Sequence, residues 1–197
     1  MSVLVACEFS GVVRDAFRRR GHVAYSLDIL PAEPSPFAKY HIQQSLERLP
    51  ATIEWDLIVA HPPCTYLTVS NNRAMAYGCR KYTADEGQRL REAGVSFFRM
   101  CTRLPAKRLC IENPIGIMST LYRKPDQVVQ PWQYGHGETK ATCLWLHNLP
   151  RLVPTNVVSG RDNRIHMMSP SDDRGRLRSI TYTGIAEAMA DQWGVLL

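Results

Sequence analysis

The chain has 197 residues, 45% hydrophobic and 21% charged, a balance that suits one packed globular domain and excludes a disordered or low-complexity chain. Its 24 Lys and Arg outnumber its 18 Asp and Glu, giving +6 and a pI near 9.1, which suits a polyanionic partner. No apolar run is long enough for a membrane helix and no signal-peptide pattern opens the chain, so a cytoplasmic protein with reduced cysteines is expected. None of the six cysteines forms a Cys-x-x-Cys pair, so the sequence writes neither a zinc ribbon nor a redox motif, and no metal is expected.

In chain order, the apolar run Val3 to Cys7 reads as a strand, Glu8 to Gly11 as a turn, and Val12 to Phe17 as the start of a helix. A second strand, Val23 to Leu27, ends in Asp28, and Pro31, Pro34 and Pro36 disfavour regular structure beyond it. A third, Asp56 to Ala60, must stop at Pro62 and Pro63, which cannot donate ladder hydrogen bonds. From about Ala84 to Arg103, the spacing of Leu90, Ala93, Phe97, Phe98 and Cys101 predicts an amphipathic helix. Arg108 to Ile111 is the next strand, ended by Glu112-Asn113-Pro114. Ala141 to Leu146 is another, after the turn Tyr134 to Gly137. The polar stretch Ser159 to Arg178 reads as a mobile loop, and Gly184 to Trp193 as the last helix.

Strands alternating with helices imply an α/β fold, a mostly parallel sheet with helices on both faces, which gathers ligands outside the carboxyl ends of its strands. The tips at Phe9, Asp28, Cys64 and Glu112 then face one crevice. Gly11 and Asp28 have about the spacing of a nucleoside-binding turn and its ribose-binding acid, although an ordinary turn and a strand-end acid have it too. Two prolines present Cys64 rigidly, as a nucleophile that needs a nearby cation or as a packed loop thiol. Glu112 is either a carboxyl kept protonated by burial, able to donate to a ring nitrogen, or a helix-start acid.

Phe9-Ser10-Gly11, Asp28, Pro63-Cys64 and Glu112-Asn113, in this order, resemble the ordered motifs of the cytosine-5 DNA methyltransferases. The likeness is nearest to small phage and prophage members, through His61-Pro62-Pro63-Cys64-Thr65-Tyr66-Leu67, the segment Tyr134 to Trp145, and the ending Gly184 to Gly194. It implies a Rossmann-like, S-adenosylmethionine-dependent methyltransferase fold, with residues 1–197 as a single catalytic domain and a polar loop around 156–180 in place of a recognition domain. It further implies that Phe9 stacks on the cofactor's adenine, Ser10 and Gly11 lie at its methionine end, Asp28 takes the ribose hydroxyls and Ile29 contacts the adenine. Pro62 and Pro63 would line the boundary between cofactor and base, Cys64 would add to carbon 6 of cytosine, and Glu112, beside Asn113, would engage ring nitrogen 3 and the amine.

The chain departs from the family in three ways. Gly11-Val12-Val13-Arg14 stands for a glycine-rich turn, and Gln43-Gln44 stands where an acid usually binds the adenine amine. Lys140 keeps only one charge of the family's Gln-x-Arg-x-Arg element, with Thr142 at the second arginine. Only about Arg151 to Thr183 remains for target recognition. DNA cytosine is the expected partner, with phosphate contacts from Arg73, Arg80, Lys81, Arg161, Arg164, Arg174, Arg176 and Arg178. Free cytidine nucleotides and a non-catalytic DNA-binding protein of this fold are the alternatives. A zinc deaminase is disfavoured because Cys64 lacks the second thiol of Pro-Cys-x-x-Cys.

Overall fold

Val3 to Ala6 carry no polar side chain, and all four are fully buried. In the computed structural model, which describes residues 1–50, 52–169, 171 and 173–196, they form the middle of one seven-stranded sheet. Its strands are β1 (Ser2–Ala6), β2 (Val23–Asp28), β3 (His41–Gln43), β4 (Trp55–Ala60), β5 (Ala106–Pro114), β6 (Gln127–Val129) and β7 (Thr142–His147). Their order is β3-β2-β1-β4-β5-β7-β6. The first five run parallel, whereas β7 is antiparallel to both β5 and β6. The order reverses between β1 and β4, the switch point beside which doubly wound sheets bind ligands.

Alternation along each strand feeds two cores. Val3, Val5, Leu57, Val59 and Cys110 pack on one face with Val13, Phe17, Met189 and Trp193. Leu4, Ala6, Ile58, Ala60, Leu109 and Ile111 pack on the other with Phe98, Cys101 and Trp145. Helices α1 (Val12–Arg19) and α7 (Thr183–Trp193) cover the first face, joined to each other by ion pairs of Arg19 and Arg20 with Glu187 and Asp191. On the second face lies α3 (Ala84–Cys101), which follows the short α2 (Asn72–Tyr77) and opens on a capping box between Thr83 and Glu86. Its buried residues are Gly87, Phe98 and Cys101, while Ala93 is exposed. The apolar stripe therefore turns away from Ala93, because glycines at 87 and 94 let Met75 and Leu67 pack against the helix.

Three further expectations change. β5 does not stop at Ile111 but continues through Pro114, because β7 supplies antiparallel partners for Glu112, Asn113 and Pro114. The three-residue strands β3 and β6 carry no periodicity that a sequence reading could detect. After α4 (Met118–Leu121), the stretch read as a mobile loop contains two short helices, α5 (Arg164–Met167) and α6 (Arg174–Ser179). Ion pairs tether it, from Arg164 to Glu138 and from Arg176 to Glu33.

Candidate active site

The chain leaves β4 at His61, whose amide donates to the Ala6 carbonyl at 2.9 Å. Pro62 and Pro63 end the ladder there, as their missing N–H groups require. The Asn113 side-chain amide donates to the Pro62 carbonyl at 2.7 Å, which binds the nucleophile loop to the tip of β5. Cys64 closes its own turn by accepting from the amides of Leu67 (2.9 Å) and Thr68 (3.1 Å). Leu67 is fully buried, and its carbonyl accepts from Ile117 at 2.9 Å. The thiol is thus presented, half-buried, from a loop pinned on two sides.

On β5, Glu112 lies 3.1 Å from Nδ1 of His61. Burial alone pushes the Glu112 carboxyl up, but the bond and charge of His61, the charge of Lys140 and the Thr142 hydroxyl together hold it below the ordinary value. For His61 burial opposes protonation, and the bond and charge of Glu112 with the charge of Glu8 outweigh it, so the imidazole is raised. Each group thus shifts the other toward its ionised form. The Glu112 carboxyl is lowered, against the expectation that burial keeps it protonated, because it gains an imidazole partner that the Glu-Asn-Pro motif does not announce.

Burial first, and then the Glu112 charge, raise the Cys64 thiol, while Lys140 and Arg178 pull it down. Lys140 sits just before β7, nearly buried, with its ammonium donating to the Ile180 carbonyl at 3.2 Å. Burial lowers its affinity for a proton, and the charges of Glu112 and Cys64 restore part of it. Thiol, carboxylate and two cations thus act on one another within one corner of the molecule. The second cation comes from α6, so Arg178 contributes a charge that Thr142 does not.

The neighbouring tips form the other half of the site. The amides of Cys7 and Glu8 both donate to the Leu27 carbonyl, at 2.7 and 3.2 Å, which joins the ends of β1 and β2. Glu8 is buried, and its carboxylate accepts from the amides of Val13 (2.7 Å) and Arg14 (3.3 Å), capping the amino terminus of α1. Gly11 has φ 71°, and a Cβ there would run into the Arg14 guanidinium. Arg14 is a fully buried cation that bonds Asp15 (2.7 Å), Ser26 (2.8 Å) and Ser35 (2.8 Å). Phe9 is 9% exposed at this turn, beside Ser10, and its carbonyl accepts from Glu33. Asp28 accepts from the Leu30 amide at 2.9 Å, and Ile29 after it is 69% exposed. Gln43 donates to the Ile29 carbonyl at 3.3 Å, so this glutamine braces the β2 tip.

The expected residues therefore fall into two groups. Cys64, Glu112, Asn113, Lys140, buried Pro62 and exposed Pro63 stand around the tips of β4 and β5, and Phe9, Ser10, Gly11, Asp28 and Ile29 around those of β1 and β2. His61 links them, because it bonds Glu112 and also lies in the field of Glu8 and Asp28. Sequence reasoning missed His61, Glu8 and Arg14. Each stands next to or within a recognised motif, so adjacency was the only signal, and their partners are distant in sequence. A hollow of about 500 Å³ lined by Met1, Asp56, Lys107, Arg108, Asn148 and Leu196 lies at the opposite, amino-terminal edge of the strands, away from this chemistry.

No protein-family model and no curated protein sequence matches the chain. Among solved structures it is similar to a prophage-encoded Escherichia coli protein described as a DNA modification methyltransferase, at 16% identity and a TM-score of 0.50. That likeness covers 80% of this chain and 52% of the other. A mutant of Spodoptera frugiperda DNMT2 aligns at 14% identity and a TM-score of 0.41, over 83% of this chain and 54% of that one. The chain thus spans about half the length of these structures. The fold is the Rossmann-like fold of S-adenosylmethionine-dependent methyltransferases.

Proposed function

We propose that the protein transfers a methyl group from S-adenosylmethionine to carbon 5 of cytosine in DNA through a covalent adduct on Cys64. The observation that carries this reading is the convergence of Cys64, Glu112 and Lys140 at adjoining strand tips, with Asn113 locking the two tips together. The cofactor's needs fit the neighbouring tips: Asp28 offers a carboxylate, and Ile29 offers exposed apolar surface. Phe9, Ser10, Gly11, Asp28 and Ile29 would hold the cofactor, with Pro62 and Pro63 between it and the base. When bound, S-adenosylmethionine supplies an electrophilic methyl group.

Cys64 sulfur adds to carbon 6 of the ring, and Glu112 engages nitrogen 3 and the exocyclic amine, which raises the electron density at carbon 5. Lys140 and Arg178 favour the thiolate that attacks. After methylation, the carbon 5 proton passes to water, and its bonding pair re-forms the 5,6 double bond and expels the Cys64 thiolate. The short stretch with α5 and α6 stands where a recognition domain would be, which supports a substrate read with little sequence context. A cytosine taken from a duplex must leave the stack, at a cost of a few kcal/mol.

The test uses labelled S-adenosylmethionine with duplex DNA, single-stranded DNA or cytidine nucleotides. Label is expected in DNA, with Cys64→Ala inactive yet still folded and binding cofactor. DNA carrying 5-fluorocytosine should remain attached to Cys64. Transfer by Cys64→Ala at the native rate would overturn the mechanism, and label in nucleotides alone would overturn the DNA substrate.

A further inference from the structure

We propose that His61 is the proton reservoir of this site, a positioning residue that orients Glu112 through Nδ1 and hands it the proton that the base takes up when Cys64 adds. The inference rests on the methyl-transfer reading and gives a role to a residue to which that reading assigns none.

His61 Nδ1 and Glu112 Oε2 are 3.1 Å apart on adjacent parallel tips, and the imidazole is nine-tenths buried. Its Nε2 is buried as well and has no hydrogen-bond partner among the described residues. Among the described residues the ring is therefore held through Nδ1 alone, and Glu112 sets its orientation. The charged groups that face the ring are Glu112 from β5, Glu8 from the turn after β1, Lys140 from the segment before β7 and Asp28 from the end of β2. Burial and Lys140 oppose a proton on the ring, and the bond and charge of Glu112 with the charge of Glu8 favour it.

The balance is that of a single proton. Before the base enters, it sits on Nδ1 and Glu112 is a carboxylate. The Cys64 thiol loses its own proton to water. As the sulfur lone pair forms the bond to carbon 6, ring electrons move onto nitrogen 3, one proton passes from Nδ1 to the carboxylate, and one passes from the carboxyl to nitrogen 3. The imidazole is left neutral. When the carbon–sulfur bond breaks, nitrogen 3 returns the proton by the same route.

Two measurements on the full-length protein test this. In the first, NMR follows the imidazole titrations of ¹⁵N-histidine-labelled protein. One resonance, absent in His61→Gln, is expected to titrate above the ordinary histidine value and to fall below it in Glu112→Gln, where burial dominates. A His61 that titrates in the ordinary range, or does not respond to Glu112→Gln, overturns the pair, and this holds even if His61→Gln fails to fold. In the second, the pH profile of methyl transfer is compared among variants. The limb that Glu112→Gln removes is expected to move to lower pH in His61→Gln and His61→Asn, with at least about a tenfold loss at pH 8, a smaller loss at pH 6, and unchanged cofactor affinity. An unmoved limb with intact transfer overturns the reservoir alone, whereas a native protein that methylates no cytosine removes the parent reading.

Discussion

Asp28 is placed by its own backbone: the Leu30 amide fixes one carboxylate oxygen at 2.9 Å and Gln43 braces the residue that follows. Burial raises this carboxyl, and the Leu30 amide, the charge of His41, the Ile29 amide and the charge of His61 oppose it. Asp28→Ala is expected to weaken S-adenosylmethionine binding about tenfold or more, the loss of one or two hydrogen bonds to a charged group, and to spare turnover at saturating cofactor. Calorimetry and saturation kinetics check this, and a fall in turnover with unchanged affinity would contradict it. His61 has a stability consequence with a definite sign. Its folded-state proton affinity is raised, so its contribution is fully present below the unfolded value near 6.5 and is lost as pH rises through the higher folded value.

At the scale of elements, α1 and the tip of β2 are held by Arg14. Its guanidinium is fully buried and meets Asp15, Ser26 on β2 and Ser35 in the following loop. Arg14→Ala would leave the Asp15 charge largely buried and unpaired, and a loss of about 3–5 kcal/mol is expected in urea denaturation. Arg14→Lys should recover little, because one ammonium cannot span three acceptors arranged around a planar fork. The amino-terminal edge of the sheet has a weaker clasp, in which Asp56 on β4 accepts from the Ser2 amide (2.8 Å) on β1 and from Lys107 (2.8 Å) on β5. The Lys107 bond, with help from Ser2, lowers the Asp56 carboxyl to about 2. Its contribution is therefore present above the unfolded value of 3.8 and disappears as pH falls through about 2. Asp56→Asn should cost less than about 1 kcal/mol, less still in high salt, and should flatten this part of the stability profile.

Across the whole molecule the basic residues do not form one equivalent surface. Arg164 and Arg176 pair with Glu138 and Glu33, and Arg161 lies over Trp132 at 3.9 Å. These contacts hold the segment with α5 and α6 against the body, where Arg178 acts on Cys64. Arg73, Arg80 and Lys81 are exposed just after the nucleophile loop, without ion pairs among the described residues. Their joint replacement by Ala is expected to weaken DNA binding across all sequences and to reduce the salt slope by up to about three, with stability unchanged. Arg176→Ala should instead slow transfer through a loosened α6 and leave the salt slope nearly intact. Fluorescence anisotropy over a salt series separates the two, and equal effects would refute this division of roles.

Local periodicity wrote the longer strands and the helices that flank them into the sequence, whereas the three-residue β3 and β6 left no such mark and Ala93 of α3 turns outward. The motif residues were legible for the same reason: prolines, a strand-end acid and a Glu-Asn pair punctuate strand tips, and parallel strands bring their tips to one edge. What depended on contacts between distant segments was not legible. The continuation of β5 through Glu112 needed β7, the burial of Arg14 needed Ser26 and Ser35, and the helices between 159 and 178 are tethered to acids on other loops. The ionisation of Glu112 was decided the same way. Burial of a carboxyl can be anticipated from its place on a central strand, but the imidazole that reverses the effect of burial stands 51 residues away in the chain, and only the parallel register of β4 against β5 brings it within 3.1 Å.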